Sequence, residues 1–240
     1  MIYKNNNYLN NNTIIIESKG ATTTAGLHFD TGSNYNSVAN TTIIMNGTAA
    51  LKGILIQYGN NNITNTNILV NSTSSSTGID VRDRSIITGT NINADKGATG
   101  IHINSLNTGV LNYTNITMLN KSGTTGIVIY YGTNSTFDHT TINTTGTQID
   151  HTNYYTWSIG YNNFTDTTFQ MPDGSIKIPG TFEVEKGYSI SQSKLNISYN
   201  KAFLNSSNLS QLNQSGIITF YGLSADIPKP IVDYEDDGTY

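Results

Sequence analysis

Three stretches of the chain repeat one pattern: "ITNTNILVNSTSSSTGIDV" at residues 63–81, "ITGTNINADKGATGIHI" at residues 87–103 and "LNYTNITMLNKSGTTGIVI" at residues 111–129. Each stretch begins with an apolar residue, has a Thr three residues later and continues with Asn-Ile. Each ends in Thr-Gly followed by alternating apolar residues. A pattern with a period of about 20 to 50 residues indicates one supersecondary unit stacked on copies of itself.

Five copies of the unit can be aligned. Their threonines are 24 to 26 residues apart, while the sequence between them changes: Thr41, Thr66, Thr90, Thr114 and Thr140. The glycines before the last apolar pair keep a similar step, with Gly146 as a weaker sixth: Gly26, Gly53, Gly78, Gly100 and Gly126. We expect these glycines to mark places where a side chain would clash or where φ is positive.

Apolar residues alternate with polar ones inside each unit, as in Ile79 and Val81 or Ile101 and Ile103. A period of two indicates β-strands, and the abundance of Ile, Thr and Val between Gly, Asn and Ser supports this interpretation. The pattern lacks the Leu-x-x-Leu-x-Leu motif and the helical half of a leucine-rich repeat. The sequence therefore predicts an all-β chain.

Stacking such units strand on strand gives a parallel β-helix that rises about 4.8 Å per coil. Equivalent residues of successive coils then form columns. We predict ladders whose side chains hydrogen-bond along the solenoid axis. The residues of these ladders are Thr41, Thr66, Thr90, Thr114 and Thr140 in one column and Asn67, Asn91 and Asn115 in another.

The Asn ladders, the coil of about 24 residues and the "TGIDV", "TGIHI" and "TGIVI" strands resemble the right-handed parallel β-helix repeat proteins of the pectate-lyase-like superfamily. The resemblance covers residues 10–150 and implies right-handed coiling. It implies no single activity, since the superfamily includes polysaccharide lyases and hydrolases, viral tailspikes and surface proteins without enzymatic activity. The low-charge, Asn/Thr-rich style is similar to archaeal and bacterial cell-surface or adhesin-like members.

The polar part of the chain is largely uncharged. More than a third of the 240 residues are Asn, Thr or Ser, only 12% are charged, and the net charge is −4. The two arginines both lie in "VRDRS", so no basic surface can neutralise a phosphate backbone, which argues against nucleic-acid binding. There is no cysteine, so the fold has no disulfides and no thiolate metal site.

No apolar run reaches membrane-spanning length, and "MIYKNNNYLN" at the start lacks the apolar core of a signal peptide. The chain ends on "EDDGTY", a turn-like stretch, and we expect it to be a fragment of an exported protein. The sequence thus favours an extracellular or cell-surface location. Sequons such as Asn46, Asn71 and Asn112 agree with this location, although a chain so rich in Asn, Ser and Thr produces many by chance.

The sequence favours a non-catalytic surface protein with a structural or adhesive role. The alternative is a carbohydrate-active enzyme or a glycan-binding spike that uses an outward face of the solenoid. Polysaccharide hydrolases need two carboxylates on neighbouring coils, and the predicted outward rows contain no such pair. The nearest approach to a lyase site is Asp80, Arg82 and His102. The simpler interpretation of "DVRDR" is a set of exposed ion pairs that neutralise one another. Tyr58, Tyr130 and Tyr131 offer rings for sugar stacking or simply cover the sheet.

Two further functions are weaker. Paired threonines at residues 64–66 and 88–90 resemble the rows of ice-binding solenoids, but the row continues as Asn112 and Asp138. A calcium site in "VDYEDDG" would use Asp233, Glu235, Asp236 and Asp237, which lack the ligand spacing of a known calcium loop. We therefore assign no catalytic, cofactor or metal residues and expect polysaccharides or surface glycans as partners.

The repeat weakens after residue 150. The segment 155–190 contains the only Trp, a "PDGS" turn and a "PG" dipeptide, which indicate β-hairpins. The segment 194–223 predicts two strands around a Ser/Asn-rich loop. We divide the chain into a solenoid at residues 1–150 and a β-rich cap or small module at residues 151–240. A cap would cover the apolar interior and strand edges at the end of the solenoid.

Overall fold

The computed structural model describes residues 5–20, 23–95, 97–104, 109–118, 123–130, 134–152, 161–198 and 201–223. These residues form a right-handed parallel β-helix of about six turns, with roughly 25 residues per turn, followed by further strands. The predicted all-β solenoid is confirmed. Within the described ranges, no helix is long and apolar enough to span a membrane.

Eighteen short strands build the coils: β1 (Tyr8–Asn10), β2 (Thr13–Ser18), β3 (Thr24–Phe29), β4 (Ser37–Ala39), β5 (Thr42–Gly47), β6 (Leu51–Ile56), β7 (Asn61–Thr64), β8 (Asn67–Ser72), β9 (Thr77–Val81), β10 (Ser85–Thr88), β11 (Asn91–Ala94), β12 (Thr99–Ile103), β13 (Val110–Asn112), β14 (Asn115–Met118), β15 (Thr125–Ile129), β16 (Thr136–Asp138), β17 (Thr141–Asn143) and β18 (Thr147–His151). The remaining elements are β19 (Asn162–Met171), β20 (Gly174–Val184), β21 (Tyr188–Ser191), β22 (Leu195–Ser198), β23 (Lys201–Leu204), a 3₁₀ turn (Ser210–Leu212) and β24 (Ile217–Phe220).

Each coil contributes three strands, and each strand pairs with its equivalent in the next coil. The first face contains β1, β4, β7, β10, β13 and β16. The second contains β2, β5, β8, β11, β14 and β17, and the third contains β3, β6, β9, β12, β15 and β18. β19 lies parallel to β16 with its first half and to β17 with its second half. Parallel stacking therefore extends past residue 150, through β19.

The interior is filled by stacked apolar residues. On the second face Ile68, Ile92 and Ile116 are in register and have no exposed surface. On the third face Ile79 and Ile101 are aligned in the same way. Because successive residues of a strand point to opposite faces, the period of two buries one side of every strand. Burial of these columns is the main force that holds the coils together.

The corner between the first and second faces contains the predicted threonine column. Thr41, Thr66, Thr90, Thr114 and Thr140 are at most 1% exposed, so the buried column is confirmed. Thr167 extends it by one coil. Their hydrogen bonds run within a coil and not along the axis, because each Oγ1 donates to the carbonyl two residues earlier at 2.8 to 3.5 Å.

A tight backbone turn explains this hydrogen bond. The residue before each corner threonine has positive φ, between 47° and 60°, which brings the carbonyl two residues before the threonine back toward its hydroxyl. We call these residues, together with their equivalent in the first coil, the corner column: Asn11, Asn40, Asn65, Gly89, Tyr113, His139 and Asp166. Asn and Gly tolerate this conformation best.

The predicted asparagine column is also in register on the second face. Asn67, Asn91 and Asn115 are exposed, and Asn91 Nδ2 donates to Asn67 Oδ1 at 3.0 Å, along the solenoid axis. A second asparagine ladder, which the repeat did not reveal, is buried at the start of the first face. There Asn36 Nδ2 donates to Asn61 Oδ1 at 3.0 Å.

The strand glycines are required for space and not for positive φ. Gly26, Gly53, Gly78, Gly100 and Gly126 have φ outside the positive region. A Cβ on Gly100 would lie 2.3 Å from Cγ2 of Ile116 and 2.6 Å from the carbonyl oxygen of Gly126. The sixth position of this column is Gln148, not Gly146, because Ile127 pairs with Ile149.

The end of the solenoid is covered by antiparallel strands. β20 returns along β19 after the predicted turn at Pro172 and Asp173, and β21 pairs with β18. The "PG" dipeptide does not form a turn. Pro179 and Gly180 lie inside β20, where the register shifts opposite Asp166, so they form a bulge. β22 and β23 form a hairpin, and β24 extends the sheet beside β20.

Candidate functional site

Asp80 and His102 lie side by side on the third face. They are paired in register between β9 and β12, and their side chains point away from the apolar interior. Leu55 occupies the same position in the preceding coil. The structure therefore brings together all three residues predicted for an enzymatic site, because Arg82, directly after β9, also contacts Asp80.

Asp80 is nevertheless closed to solvent. Its side chain is 0% exposed because Lys52, Arg82 and His102 surround it. Oδ2 accepts hydrogen bonds from Lys52 Nζ and from Arg82 Nη2, the latter at 3.0 Å. His102 Nδ1 lies 3.3 Å from Oδ1 without the alignment of a hydrogen bond, and Oδ1 has no hydrogen-bond partner. We call these four residues the Asp80 cluster.

The environment of Asp80 fixes it as a carboxylate. Burial alone raises the pKa of the carboxyl, but the contacts with His102, Lys52 and Arg82 together lower it more, so the pKa of Asp80 lies well below its ordinary value. A carboxyl group that is ionised at neutral pH cannot act as a general acid, and a fully buried one cannot reach a polysaccharide. The cluster therefore has the properties of a structural ion group.

The second aspartate of "VRDRS", Asp83, stabilises a turn. Asp83 Oδ2 accepts the backbone N–H of Gly59 at 2.7 Å, and its Oδ1 accepts the backbone N–H of Arg84 at 2.7 Å. The sequence suggested exposed ion pairs here. Instead, Asp80 is buried and its main cationic partner is Lys52, 28 residues earlier. The sequence feature that could have predicted the contact of Lys52 with Asp80 is the lysine in "LKGILI", which lies one coil before the aspartate.

The tyrosines predicted for sugar stacking are separated. Tyr130 makes an edge contact with the ring of His102, with 5.7 Å between ring centroids. Tyr58 is 45% exposed in a loop after the third face. Tyr131 lies outside the described residues. The threonine pairs considered for ice binding are split as well, since Thr66 and Thr90 are buried while Thr64 and Thr88 face outward.

A second cluster lies at the corner and was missed by sequence analysis. His139 Nδ1 lies 2.8 Å from Asp138 Oδ1, and its Nε2 lies 3.2 Å from Asp166 Oδ2. Lys177 Nζ on β20 contacts Asp166 Oδ1 at 2.7 Å. The His139 ring stacks on Tyr113, with 4.5 Å between centroids. We call these five residues the corner cluster. The sequence feature that could have indicated this cluster is Asp138, which interrupts the row of Thr64 and Thr88.

An open groove of about 560 Å³ crosses the start of the first face. Tyr35, Asn61, Arg84 and Ile86 are among its lining residues, and no described residue of that lining is a carboxylate. Within the described ranges, no three His, Cys, Asp or Glu residues are placed to hold a metal ion. The acidic residues considered for calcium, at positions 233–237, lie outside those ranges.

Comparison of the chain with models of protein families, with curated proteins and with solved structures found no match. The fold and the two clusters are therefore the basis for any functional assignment.

Proposed function

We propose that this chain is a non-catalytic extracellular or cell-surface protein with a structural or adhesive role. We place it among the surface members of the pectate-lyase-like β-helix proteins. The observation that carries the proposal is the state of Asp80, which is wholly buried and bound by Lys52 and Arg82. A carboxylate in this state serves the stability of the coil stack and is unsuited to acid–base chemistry.

The outer surface of the solenoid supports an adhesive role. Uncharged polar side chains follow one another in register along the axis, as in the row of Thr77, Thr99, Thr125 and Thr147 on the third face. The column of Asn67, Asn91 and Asn115 adds amide groups on the second face. Hydroxyl and amide groups on a rigid frame can form hydrogen bonds with a repeating polymer without a strong charge requirement.

The extracellular assignment is supported by the same composition. Only 12% of the residues are charged, so the polar groups of the chain are mainly the amides and hydroxyls of Asn, Thr and Ser. The coil architecture, with three parallel faces and roughly 25 residues per turn, agrees with the superfamily resemblance.

Incubation with neutral and acidic polysaccharides, with and without calcium, tests the non-catalytic assignment. New reducing ends and ultraviolet-absorbing unsaturated ends are measured beside polymer binding. We expect binding without product, unchanged in His102→Ala and Arg82→Ala, whose partly exposed side chains can be removed without opening the apolar core. Product formed by the natural chain and lost in both variants would replace this proposal with a polysaccharide lyase or hydrolase.

A further inference from the structure

The groove at the start of the first face is an open space of about 560 Å³, and we call it the first-face groove. Three successive coils line it, each with three consecutive residues. The strand register arranges this lining in three rows along the solenoid axis. Asn36, Asn61 and Ser85 form the middle row. The groove therefore has a central row with one further row on each side.

The middle row forms the floor of the groove. Its side chains point into the solenoid and are at most 2% exposed. Asn36 Nδ2 donates to Asn61 Oδ1 at 3.0 Å, and Asn61 Nδ2 donates to the carbonyl of Tyr58 at 2.7 Å. These bonds of the buried ladder fix the backbone between the two outer rows. A surface that is fixed before binding loses little conformational entropy when a ligand binds.

Tyr35 provides an aromatic ring in one outer row. It has φ of +56°, and its side chain is 66% exposed. Asn6 and Asn134, which precede the first-face ladder in other coils, have φ of +59° and +58°. A left-handed backbone suits Asn better than Tyr, and the exposed ring gains little from packing. Stability alone therefore does not explain an aromatic residue at this place.

Arg84 provides a cation in the same row, two coils further along. Its side chain is exposed, and among the described residues no carboxylate forms an ion pair with its guanidinium. The neighbouring Asp83 directs one carboxylate oxygen to the backbone N–H of Gly59 and the other to the backbone N–H of Arg84. The groove thus presents one guanidinium group to an approaching anion.

The other outer row adds an apolar and an amide group. Ile86 is 47% exposed, and Asn62, in register with it one coil earlier, is also exposed. The first-face groove therefore combines an aromatic ring, an aliphatic side chain, an amide and a guanidinium on a fixed floor. Sites for small polar ligands combine apolar and polar groups in this way.

This combination of groups selects the ligand class. A simple anion would leave Tyr35 and Ile86 without a contact, and a neutral sugar would leave Arg84 without a charged partner. A nucleic acid would need several basic residues for its phosphates, and the net charge of the chain is −4. A pyranose ring with an acidic substituent matches the groove. Its apolar face can lie on Tyr35, its hydroxyls can bond to Asn62, and its oxyanion can accept two N–H groups from Arg84.

We propose that the first-face groove binds one sugar ring that carries a carboxylate or sulfate group, as part of an acidic glycan. This inference rests on the proposed adhesive function, and it names the ligand class and the part of the surface that binds it.

Two variants remove the two main contacts. Arg84→Gln removes the charge and keeps an amide, and Tyr35→Asn introduces the residue found at Asn6 and Asn134. The matched control for Tyr35 is Tyr113→Asn, since Tyr113 also has positive φ and is 60% exposed, but lies outside the groove. The matched control for Arg84 is Lys177→Gln, which removes one positive charge elsewhere on the surface. Thermal unfolding confirms that each variant is folded.

The measurement is calorimetric titration with three probes of equal length: an oligouronate, a sulfated hexose oligosaccharide and a neutral hexose oligosaccharide. We expect an acidic probe to bind more tightly than the neutral one, and its affinity to fall as salt is raised to about 0.5 M. Arg84→Gln should weaken acidic binding by about tenfold or more, and Tyr35→Asn by about fivefold or more. Both controls should leave it unchanged. The acidic probe that binds more tightly identifies the oxyanion as carboxylate or sulfate.

The outcomes separate the groove from the adhesive function. Neutral binding as tight as acidic binding in the natural chain overturns the groove proposal and leaves the adhesive function, and this comparison needs no variant. Acidic binding that is unchanged in Arg84→Gln, or weakened equally by the controls, also overturns it. Binding of none of the three probes overturns the groove proposal, while the polysaccharide assay above still decides the adhesive function. Release of unsaturated or reducing ends would overturn the non-catalytic assignment, whereas dependence of binding on Arg84 and Tyr35 would still support the groove.

Discussion

The Asp80 cluster and the corner cluster both combine Asp, His and Lys, but their side chains differ in exposure to solvent. In the first, the Asp80 side chain is 0% exposed beneath its partners. In the second, Asp166 is 18% exposed and His139 is 41% exposed, beside Tyr113, which is 60% exposed. The first cluster is closed and the second is open. The difference teaches that the position of a charge on the coil, more than its chemical type, decides whether solvent can reach it.

The largest expected effect is on stability. Asp80→Asn removes a charge that Lys52 and Arg82 surround, and we expect the free energy of unfolding to fall by about 2 to 4 kcal/mol. The loss is smaller than for a fully buried pair because both cations are partly exposed. Asp166→Asn keeps a residue suited to positive φ and should cost under about 1 kcal/mol. Urea denaturation measures both, and equal losses would contradict the distinction between the clusters.

Acidification should remove the stability that the Asp80 carboxylate contributes. The pKa of Asp80 is lower in the folded chain than its ordinary value of 3.8, because His102, Lys52 and Arg82 together outweigh the opposite effect of burial. The stability that this carboxylate contributes is complete above about pH 4 and is lost as the pH falls through the folded pKa. Melting temperatures from about pH 5 to about pH 2 should fall less steeply in Asp80→Asn than in the natural chain. Parallel curves would show that Asp80 is not the titrating group.

Much of the fold follows from the sequence because the repeat encodes it. A period of two inside a period of about two dozen specifies strands, columns and parallel stacking, and the buried Thr66 and Thr90 lie where the pattern predicts. The bulge at Pro179 and Gly180 was not predictable, since a Pro-Gly dipeptide normally indicates a turn. Its position depends on pairing between β19 and β20, which a local pattern does not contain.

The candidate sites were less predictable for a related reason. The pairing of Asp80 with His102 follows from the column, but its burial depends on Lys52, which lies outside the repeated motif. The corner cluster needs Lys177 from a strand that runs in the opposite direction. Contacts with residues outside the repeated motif leave no periodic pattern in the sequence. The strain at Tyr113 is visible only once its φ is known.

His151 extends the comparison because it is buried and has no ion-pair partner among the described residues. His151, at the end of β18, is 0% exposed, and its Nδ1 lies 3.2 Å from the carbonyl of Val184. Burial, aided by Lys186, lowers the pKa of His151 below 6.5, against the opposing effects of the Val184 and Glu185 backbone and of Asp150. The neutral ring is therefore the form that fits the contact between solenoid and cap.

The sign of the His151 effect follows from this lowered pKa. Its contribution to stability is complete above about pH 6.5 and decreases as the pH falls toward the folded pKa, since the unfolded chain then binds the additional proton. We expect a smaller total loss than at Asp80, because the loss scales with the pKa difference between the folded and unfolded chains and the pKa of His151 is shifted less than that of Asp80. His151→Gln should flatten the melting temperature between about pH 7 and about pH 5, whatever its absolute stability. A slope that persists in His151→Gln would assign the titration to another group.

The smallest expected effect is the dependence of the ion-pair coupling energies on salt concentration. A double-mutant cycle with Asp166→Asn and Lys177→Gln should give a coupling of about 0.2 to 1 kcal/mol, typical of a partly exposed pair. The Debye length falls to about 3 Å at 1 M salt, so this coupling should then nearly vanish. The matched cycle with Asp80→Asn and Lys52→Gln should retain most of its coupling, because solvent ions cannot reach a carboxylate that is 0% exposed. Equal salt sensitivity in the two cycles would mean that the Asp80 cluster opens to solvent. Its carboxylate would then be accessible to a substrate, which contradicts the non-catalytic assignment.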